Sequence, residues 1–406
     1  MSNASSRVGE TWRLLRGQGP AALGRRVVRA AYQRSGAAAL EFPLLPDDLA
    51  DSTRLDLPRP TSAPERGTPL TVAWIMTPPG AGSGGHTTIF RMIEALEAAG
   101  HRCVLHLYDR FGGDLERHTA VIRSGWPAVR AEVREVGDGL AGADAAIATS
   151  WETAHVLARR SAGMRVARLY FAQDFEPFFY PRGTEYALAE DTYRFGFRTI
   201  TIGHMVADLL ASTADVDCAV AQFGCDTDVY GLRNTGPRRG IAFYAKPGNP
   251  RRGFLLASAA LDEVHRRHPA CEIHLYGDRD ATVPFPAEVH GNVSPAGLSD
   301  IYNQCVTGLA MSFTNISLIA EELLACGTIP VVNDSPYARA DLQNPYVEWA
   351  TATPGSIADA LSRVIERDGR GERSAEIAAS VRQGSWEPAQ RVVLDTVEDE
   401  VYGAPG

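Results

Sequence analysis

Short apolar runs alternate with amphipathic stretches along most of this chain. Residues 72–76 form a compact run of strand type, and the glycines that follow (Gly80, Gly82, Gly84, Gly85) cannot continue it. Ile89, Met92, Ile93 and Leu96 then recur at i, i+3, i+4 and i+7, the stripe of an amphipathic helix, with Gly100 placed to stop it. The same alternation predicts strands over 103–108, 145–149, 165–170 and 199–202. After a Gly/Pro/Arg-rich joint at 231–240 it resumes, with strands over 241–244, 272–276, 308–311 and 329–332. Strands separated by helical stretches imply parallel βαβ units. The expected class is therefore α/β: two Rossmann-like domains, 71–235 and 236–385, whose carboxyl strand ends face a central cleft where such folds bind ligands.

The ends of the chain read differently. Within the extension 1–70, residues 12–35 intersperse Arg13, Arg16, Arg25, Arg26, Arg29 and Arg34 among Leu, Val and Ala, a basic helical pattern. Residues 43–68 are rich in Pro, Asp and Ser and read as an irregular tether.

Two loops carry candidate chemistry. In the first, glycines between a strand and a helix let backbone amides approach a phosphate, because no Cβ holds the ligand off. This is not the GxGxxG dinucleotide fingerprint, and no acid follows at its distance. In the second, 314–327, a polar loop (Thr314, Asn315, Ser317, Leu318) precedes a short helix with adjacent acids Glu321 and Glu322, a Gly327 stop and a buried strand. Free amides at a helix start suit phosphate, and a carboxylate one turn in can accept from ribose hydroxyls. An ordinary amphipathic helix before a strand fits that segment equally well.

Taken together, four motifs resemble retaining GT-B glycosyltransferases of family 4, in particular the branch of rhamnosyltransferases that builds S-layer and O-antigen glycans. They are Gly84-Gly85-His86-Thr87; residues 170–180, containing Gln173-Asp174-Phe175-Glu176; Phe243-Tyr244-Ala245-Lys246-Pro247 with Arg251-Arg252-Gly253; and 315–327. The resemblance runs from about residue 71 to the C-terminus. It implies a GT-B fold, with the acceptor on the first domain, the nucleotide on the second, and a helix over 386–406 crossing back to the first.

Residue roles follow from that resemblance. Lys246 and Arg252 occupy the places of the cations that clamp the donor diphosphate, with the residue types exchanged, and Arg251 is a close rival to Arg252. Glu322 matches the ribose-holding acid of the family's E-x7-E pattern, whereas Thr314 stands where its first acid belongs. Thr314, Asn315, Ser317, Leu318 and Tyr244 join Gly84, Gly85 and His86 as donor contacts. Asp174 is the candidate catalytic group on the acceptor side; the plain alternative is a loop acid paired with an Arg. Glu176, Phe178 and Tyr180 are candidate acceptor contacts, and Glu321 is expected on the surface.

Composition limits the partners. At 45% hydrophobic and 22% charged residues the 406-residue chain is ordinary, and its net charge of −9 argues against nucleic acid. Six scattered cysteines without CxxC spacing, and no long apolar run, point to reduced thiols and a cytoplasmic protein. The basic N-terminal helix suggests peripheral contact with the inner membrane face, or equally a helix packed on its own protein. No metal constellation and no DxD pair are apparent.

The resulting expectation is a retaining, metal-independent transfer without cofactor, by front-face attack, of a deoxyhexose from dTDP-rhamnose. UDP-hexoses remain open as donors. The acceptor would be a glycan, a lipid-linked glycan or a natural product. The competing readings are a GT-B nucleotide-sugar epimerase and a non-catalytic nucleotide-sugar-binding partner.

Overall fold

The computed structural model describes residues 28, 35, 42–80, 82–316, 318–368, 373–381 and 384–403. Apart from Val28 and Ser35, the basic stretch 12–35 lies outside the described residues. Met1–Leu49 and Ala50–Gly406 are separate compact units. In the former, Pro46–Asp48 makes a 3-10 turn. Everything below concerns the latter.

The first domain runs β1 (Thr71–Met76), α1 (Gly84–Ala98), β2 (Arg102–Leu107), α2 (Leu115–Gly125), β3 (Glu132–Glu135), β4 (Ala145–Ala148), α3 (Trp151–Arg160), β5 (Ala167–Ala172), α4 (Thr184–Thr192), β6 (Arg198–Ile202), α5 (His204–Ala214) and β7 (Cys218–Ala221). Its seven strands are parallel in the order β3-β2-β1-β4-β5-β6-β7, so the winding reverses between β1 and β4. The apolar stripe of α1 buries Ile89, Phe90, Met92, Ile93 and Leu96 against this sheet. That helix ends in a Schellman turn: Gly100, at φ +96°, donates to the Glu97 carbonyl and His101 to that of Leu96.

The second domain runs β8 (Ile241–Ala245), α6 (Phe254–Arg267), β9 (Ile273–Gly277), β10 (Glu288–Gly291), α7 (Pro295–Gln304), β11 (Thr307–Leu309), α8 (Ile319–Ala325), β12 (Ile329–Asn333), α9 (Pro336–Asp341), β13 (Glu348–Ala350), α10 (Pro354–Asp368) and α11 (Ser374–Ala379). Its six parallel strands order β10-β9-β8-β11-β12-β13, with the reversal between β8 and β11. Both reversals leave a crevice at the carboxyl strand ends.

Two connections fix the halves. The 231–240 joint is anchored on the second domain. The guanidinium of Arg238, 1% exposed, donates to Thr328 Oγ1 and the Cys326 carbonyl, both at 2.7 Å. The last helix, α12 (Glu387–Tyr402), returns to the first domain, where Trp386, Ala389, Val393, Val397 and Val401 join the core of the first sheet. The crossing is tight at Gly224, where a Cβ would stand 2.6 Å from the Ser385 carbonyl. The tether from Ala50 onward also lies along the first domain: the Ala50 amide donates to His155 Nδ1, and Arg168 donates to the Pro58 carbonyl. No helix among the described residues is long and apolar enough to cross a membrane.

Candidate functional site

β5 ends at Ala172, and the next two residues, Gln173 and Asp174, stand at the carboxyl edge of the first sheet. Asp174 reaches across to the loop after β11. Its Oδ2 accepts from Thr314 Oγ1 at 2.7 Å and from Arg251 Nη1 at 3.4 Å, and its Oδ1 accepts from the Asn315 amide at 3.0 Å. The Asn315 side chain donates to the carbonyls of Gln173 and Ile202, at 2.8 and 3.0 Å, docking the loop on the ends of β5 and β6. Paired hydrogen bonds between Ser312 and the Asn333 side chain hold the root of the loop. Burial raises the Asp174 pKa, opposed by Thr314, Arg251, Asn315 and Arg252.

The cations lie on the turn after β8. Pro250–Arg252 forms one 3-10 turn, started by the Asn249 side chain accepting from the Arg251 amide and ended by Gly253 at φ +62°. Arg251 is committed: its guanidinium carbon lies 3.7 Å from the Phe179 ring centre, and its charge faces Asp174. Arg252 is not. Its polar contact is Ser312 Oγ at 3.5 Å, and burial first, then repulsion from Arg251, lowers its pKa. Lys246 holds its ammonium 5.9 Å from the ring centre of Tyr244. Among the described residues neither Lys246 nor Arg252 forms an ion pair, so both charges are available to an anion.

Glu322 is partly buried on α8. Tyr302 Oη donates to it at 3.4 Å, and Asp226, itself paired with Arg91, lies near enough to repel it. Burial first and Asp226 second push its pKa up to about 7. Glu321, expected on the surface, is partly exposed and lines an open pocket of about 460 Å³ with His204, Gln222, Phe223, Asp341 and Asn344. Helix α8 is only seven residues long and carries both acids in its first turn, so its start offers an anion little. Leu318 directly precedes it and its carbonyl accepts from the Glu322 amide. Ser317 lies outside the described residues.

In the first domain Gly84, Gly85 and His86 open α1. Both glycines are exposed; a Cβ at Gly84 would meet nothing, and one at Gly85 would stand 3.7 Å from the Gln173 side chain. His86 spends both ring nitrogens inside the loop. The Thr77 carbonyl, 3.1 Å from Nε2, can only accept, so Nδ1 accepts from the Ser83 hydroxyl at 2.8 Å. Burial lowers its pKa and keeps it neutral, a loop clamp rather than a free donor.

Of the three acceptor-side candidates Glu176 is buried, while Phe178 and Tyr180 are half-buried. Glu176, 4% exposed, accepts from the Trp151 amide at the start of α3 and from Tyr170 Oη at 3.2 Å. Burial and the Glu152 carboxylate raise its pKa well above the ordinary range. Tyr180 Oη accepts from Trp151 Nε1, and Phe178 packs on Phe175 and Tyr337. Sequence reading passed over Gln173, the residue facing Gly85. Its one signal was its place inside the 170–180 motif, three residues past the strand predicted over 165–170.

Comparison with known proteins bears on this cleft. Residues 239–362 match the WsaF C-terminal domain and residues 135–204 the WsaF N-terminal domain. The O-antigen biosynthesis protein RfbC of Myxococcus xanthus is 31% identical over 383 residues, covering 88% of this chain. The chain spans 29% of that relative's length. Among solved structures, Anabaena HepE in complex with UDP and glucose superimposes with a TM-score of 0.64 at 13% identity, covering 81% of this chain and all of that one. Sucrose-phosphate synthase from Thermosynechococcus elongatus gives 0.60 at 12%, covering 81% and 98%. The fold is GT-B. In GT-B terms Asp174 belongs to the first domain, Lys246, Arg251, Arg252, Thr314 and Glu322 to the second, and the Asp174 hydrogen bonds span the cleft between them.

Proposed function

We propose that this chain transfers a sugar from a nucleoside-diphosphate donor to a hydroxyl of a glycan-type acceptor during polysaccharide or O-antigen assembly. The observation that carries the reading is the contrast among three neighbouring cations. Arg251 is neutralised by Asp174, whereas Lys246 and Arg252 keep unspent charge at the carboxyl edge of the second sheet. Two such cations stabilise a diphosphate as charge develops on leaving. Glu322, further along the same edge, accepts from the ribose.

The carboxylate absent at position 314 is supplied from across the cleft by Asp174. There it positions the donor sugar or stabilises oxocarbenium character at the reacting carbon. The description of RfbC as an O-antigen biosynthesis protein supports the process, and the UDP and glucose bound by HepE support the class of substrate. The finer reading is a retaining, metal-independent transfer of L-rhamnose from dTDP-rhamnose, in which the departing diphosphate assists the incoming hydroxyl.

A panel of dTDP-, UDP- and GDP-sugars, followed by proton NMR of early product in EDTA, tests each level. Transfer from dTDP-rhamnose with retained anomeric configuration is expected. An inverted product, or activity that needs Mg²⁺, removes the finer reading. Neither binding nor turnover of any donor removes the whole of it.

A further inference from the structure

Away from the cleft, at the outer edge of the second sheet, three side chains converge without any part in the chemistry above. Glu288 on β10 is paired in register with His274 on β9, so both project from the same face. His290, two residues on, shares that face. The strand register shifts between Val289 and Gly291, and this irregularity turns His290 toward His274. His274 Nδ1 lies 3.1 Å from His290 Nε2 and 3.4 Å from Glu288 Oε2. The ligand atoms of the three residues all lie within 4.8 Å of one another.

We propose that His274, Glu288 and His290 form a binding site for a divalent transition-metal ion of the zinc class. The geometry supports this in three ways. At bond lengths of about 2.1 Å, the two imidazole nitrogens 3.1 Å apart subtend about 95° at a shared ion. His274 Nδ1 and Glu288 Oε2 at 3.4 Å subtend about 110° on the same basis. Both angles fall in the range that two imidazoles and one carboxylate adopt around such metals.

The tautomers also agree. His274 is 3% exposed, and its far nitrogen, Nε2, makes no hydrogen bond; Glu272 Oε2 stands 3.7 Å from it. A carboxylate on that side favours the proton on Nε2, which leaves the Nδ1 lone pair facing His290 and Glu288. Glu288 Oε1 lies 3.8 Å from Nδ1 of His290 and favours its proton there, freeing Nε2 in turn.

Finally, the ring of His274 is held in place. Gly240, at φ +113°, packs so closely that a Cβ would stand 3.1 Å from its Nε2 and Cδ2. An ion there staples the short edge strand β10 to β9. The strand runs on into Asn292, whose side chain faces Gly82 of the first domain's glycine loop.

The experiment uses the whole chain, stripped with a chelator and titrated with Zn²⁺ against a chromophoric competitor, with Co²⁺ absorption as a second readout. Wild type is expected to take up a single equivalent and to unfold at higher temperature when loaded. His290→Ala and Glu288→Ala alter exposed or partly exposed side chains, so one of them reports even if the other misfolds. Each is expected to weaken binding by more than about tenfold, and Glu272→Ala by about tenfold. Cys271→Ser, which removes the nearby thiol, is expected to bind as wild type does. Equal binding by wild type and both ligand variants, loss of binding in Cys271→Ser alone, or no stoichiometric uptake by wild type overturns the site. The last result would leave the two histidines as a hydrogen-bonded pair.

Discussion

Thr314 donates a 2.7 Å hydrogen bond to Oδ2 of Asp174, joining the second domain to the first at the position where the resembled pattern carries an acid. A glutamate at 314 would set two carboxylates against each other on one oxygen, an arrangement that raises one pKa and costs stability. Thr314→Glu is therefore expected to lower both activity and stability. Asp174→Asn in the same chain should recover part of each, with a coupling of about 1–3 kcal/mol in a double-mutant cycle. Urea unfolding and kcat/KM on the four proteins measure it. Strictly additive effects would mean that the two positions do not share a role.

The three cations of the second domain should separate by function. Lys246→Ala and Arg252→Ala each remove a charge available to the diphosphate, and are expected to weaken nucleotide-sugar binding by about 1.5–3 kcal/mol. Arg251→Ala removes the partner of Asp174 and the cover on Phe179, so affinity should stay within about threefold while turnover falls. Calorimetry beside steady-state kinetics distinguishes them. A large affinity loss confined to Arg251 would move the clamp one residue back along the chain.

The two-domain α/β plan was legible because its inner strands are mostly apolar, as in β1, β5, β8 and β12. The strands that periodicity missed are β3, β7, β10 and β13, the two edges of each sheet. All four are short, and β3 and β10, Glu132-Val133-Arg134-Glu135 and Glu288-Val289-His290-Gly291, are polar as well, the pattern that blunts an open edge. The metal-ligand cluster was invisible for the same reason, since it joins an edge strand to its neighbour. In the cleft, motif position singled out Asp174, Lys246 and Arg252 as candidates. It could not tell which arginine faced Asp174, because adjacent residues of a 3-10 turn diverge by geometry alone. Nor could it show that Glu176 points inward, which depends on where α3 begins.

Glu176 tests that last point. Its carboxyl accepts from the Trp151 amide and Tyr170 Oη, and burial with the Glu152 carboxylate raises its pKa. Glu176→Gln preserves the shape and an acceptor oxygen for both donors, so stability should change by less than about 1 kcal/mol. Glu176→Ala leaves two buried donors without acceptors and should cost about 1–3 kcal/mol for each. Thermal unfolding reads both, and KM for the acceptor should hold in the Gln variant. A rise in KM there, with stability unchanged, would return Glu176 to the acceptor site.

Glu322 gives the pH dependence a definite sign. Its carboxyl titrates near the ordinary 4.5 when unfolded and near about 7 when folded, chiefly through burial. Below the lower value both states hold the proton and the residue is neutral to stability. Between the two values the unfolded chain releases the proton that the folded one keeps, so stability falls as pH rises, and above the upper value the penalty is constant. Glu322→Gln lacks this titration. Its stability relative to wild type should grow by at most about 3 kcal/mol between pH 4 and pH 8. Nucleotide binding should move the opposite way, because the ionised carboxylate accepts best from ribose hydroxyls. Wild-type affinity for a nucleotide sugar, whose diphosphate diester does not titrate here, should therefore tighten as pH rises through 7, while that of Glu322→Gln stays flat. Parallel pH profiles for the two proteins would separate Glu322 from the ribose and leave its raised pKa a consequence of burial and of the neighbouring Asp226.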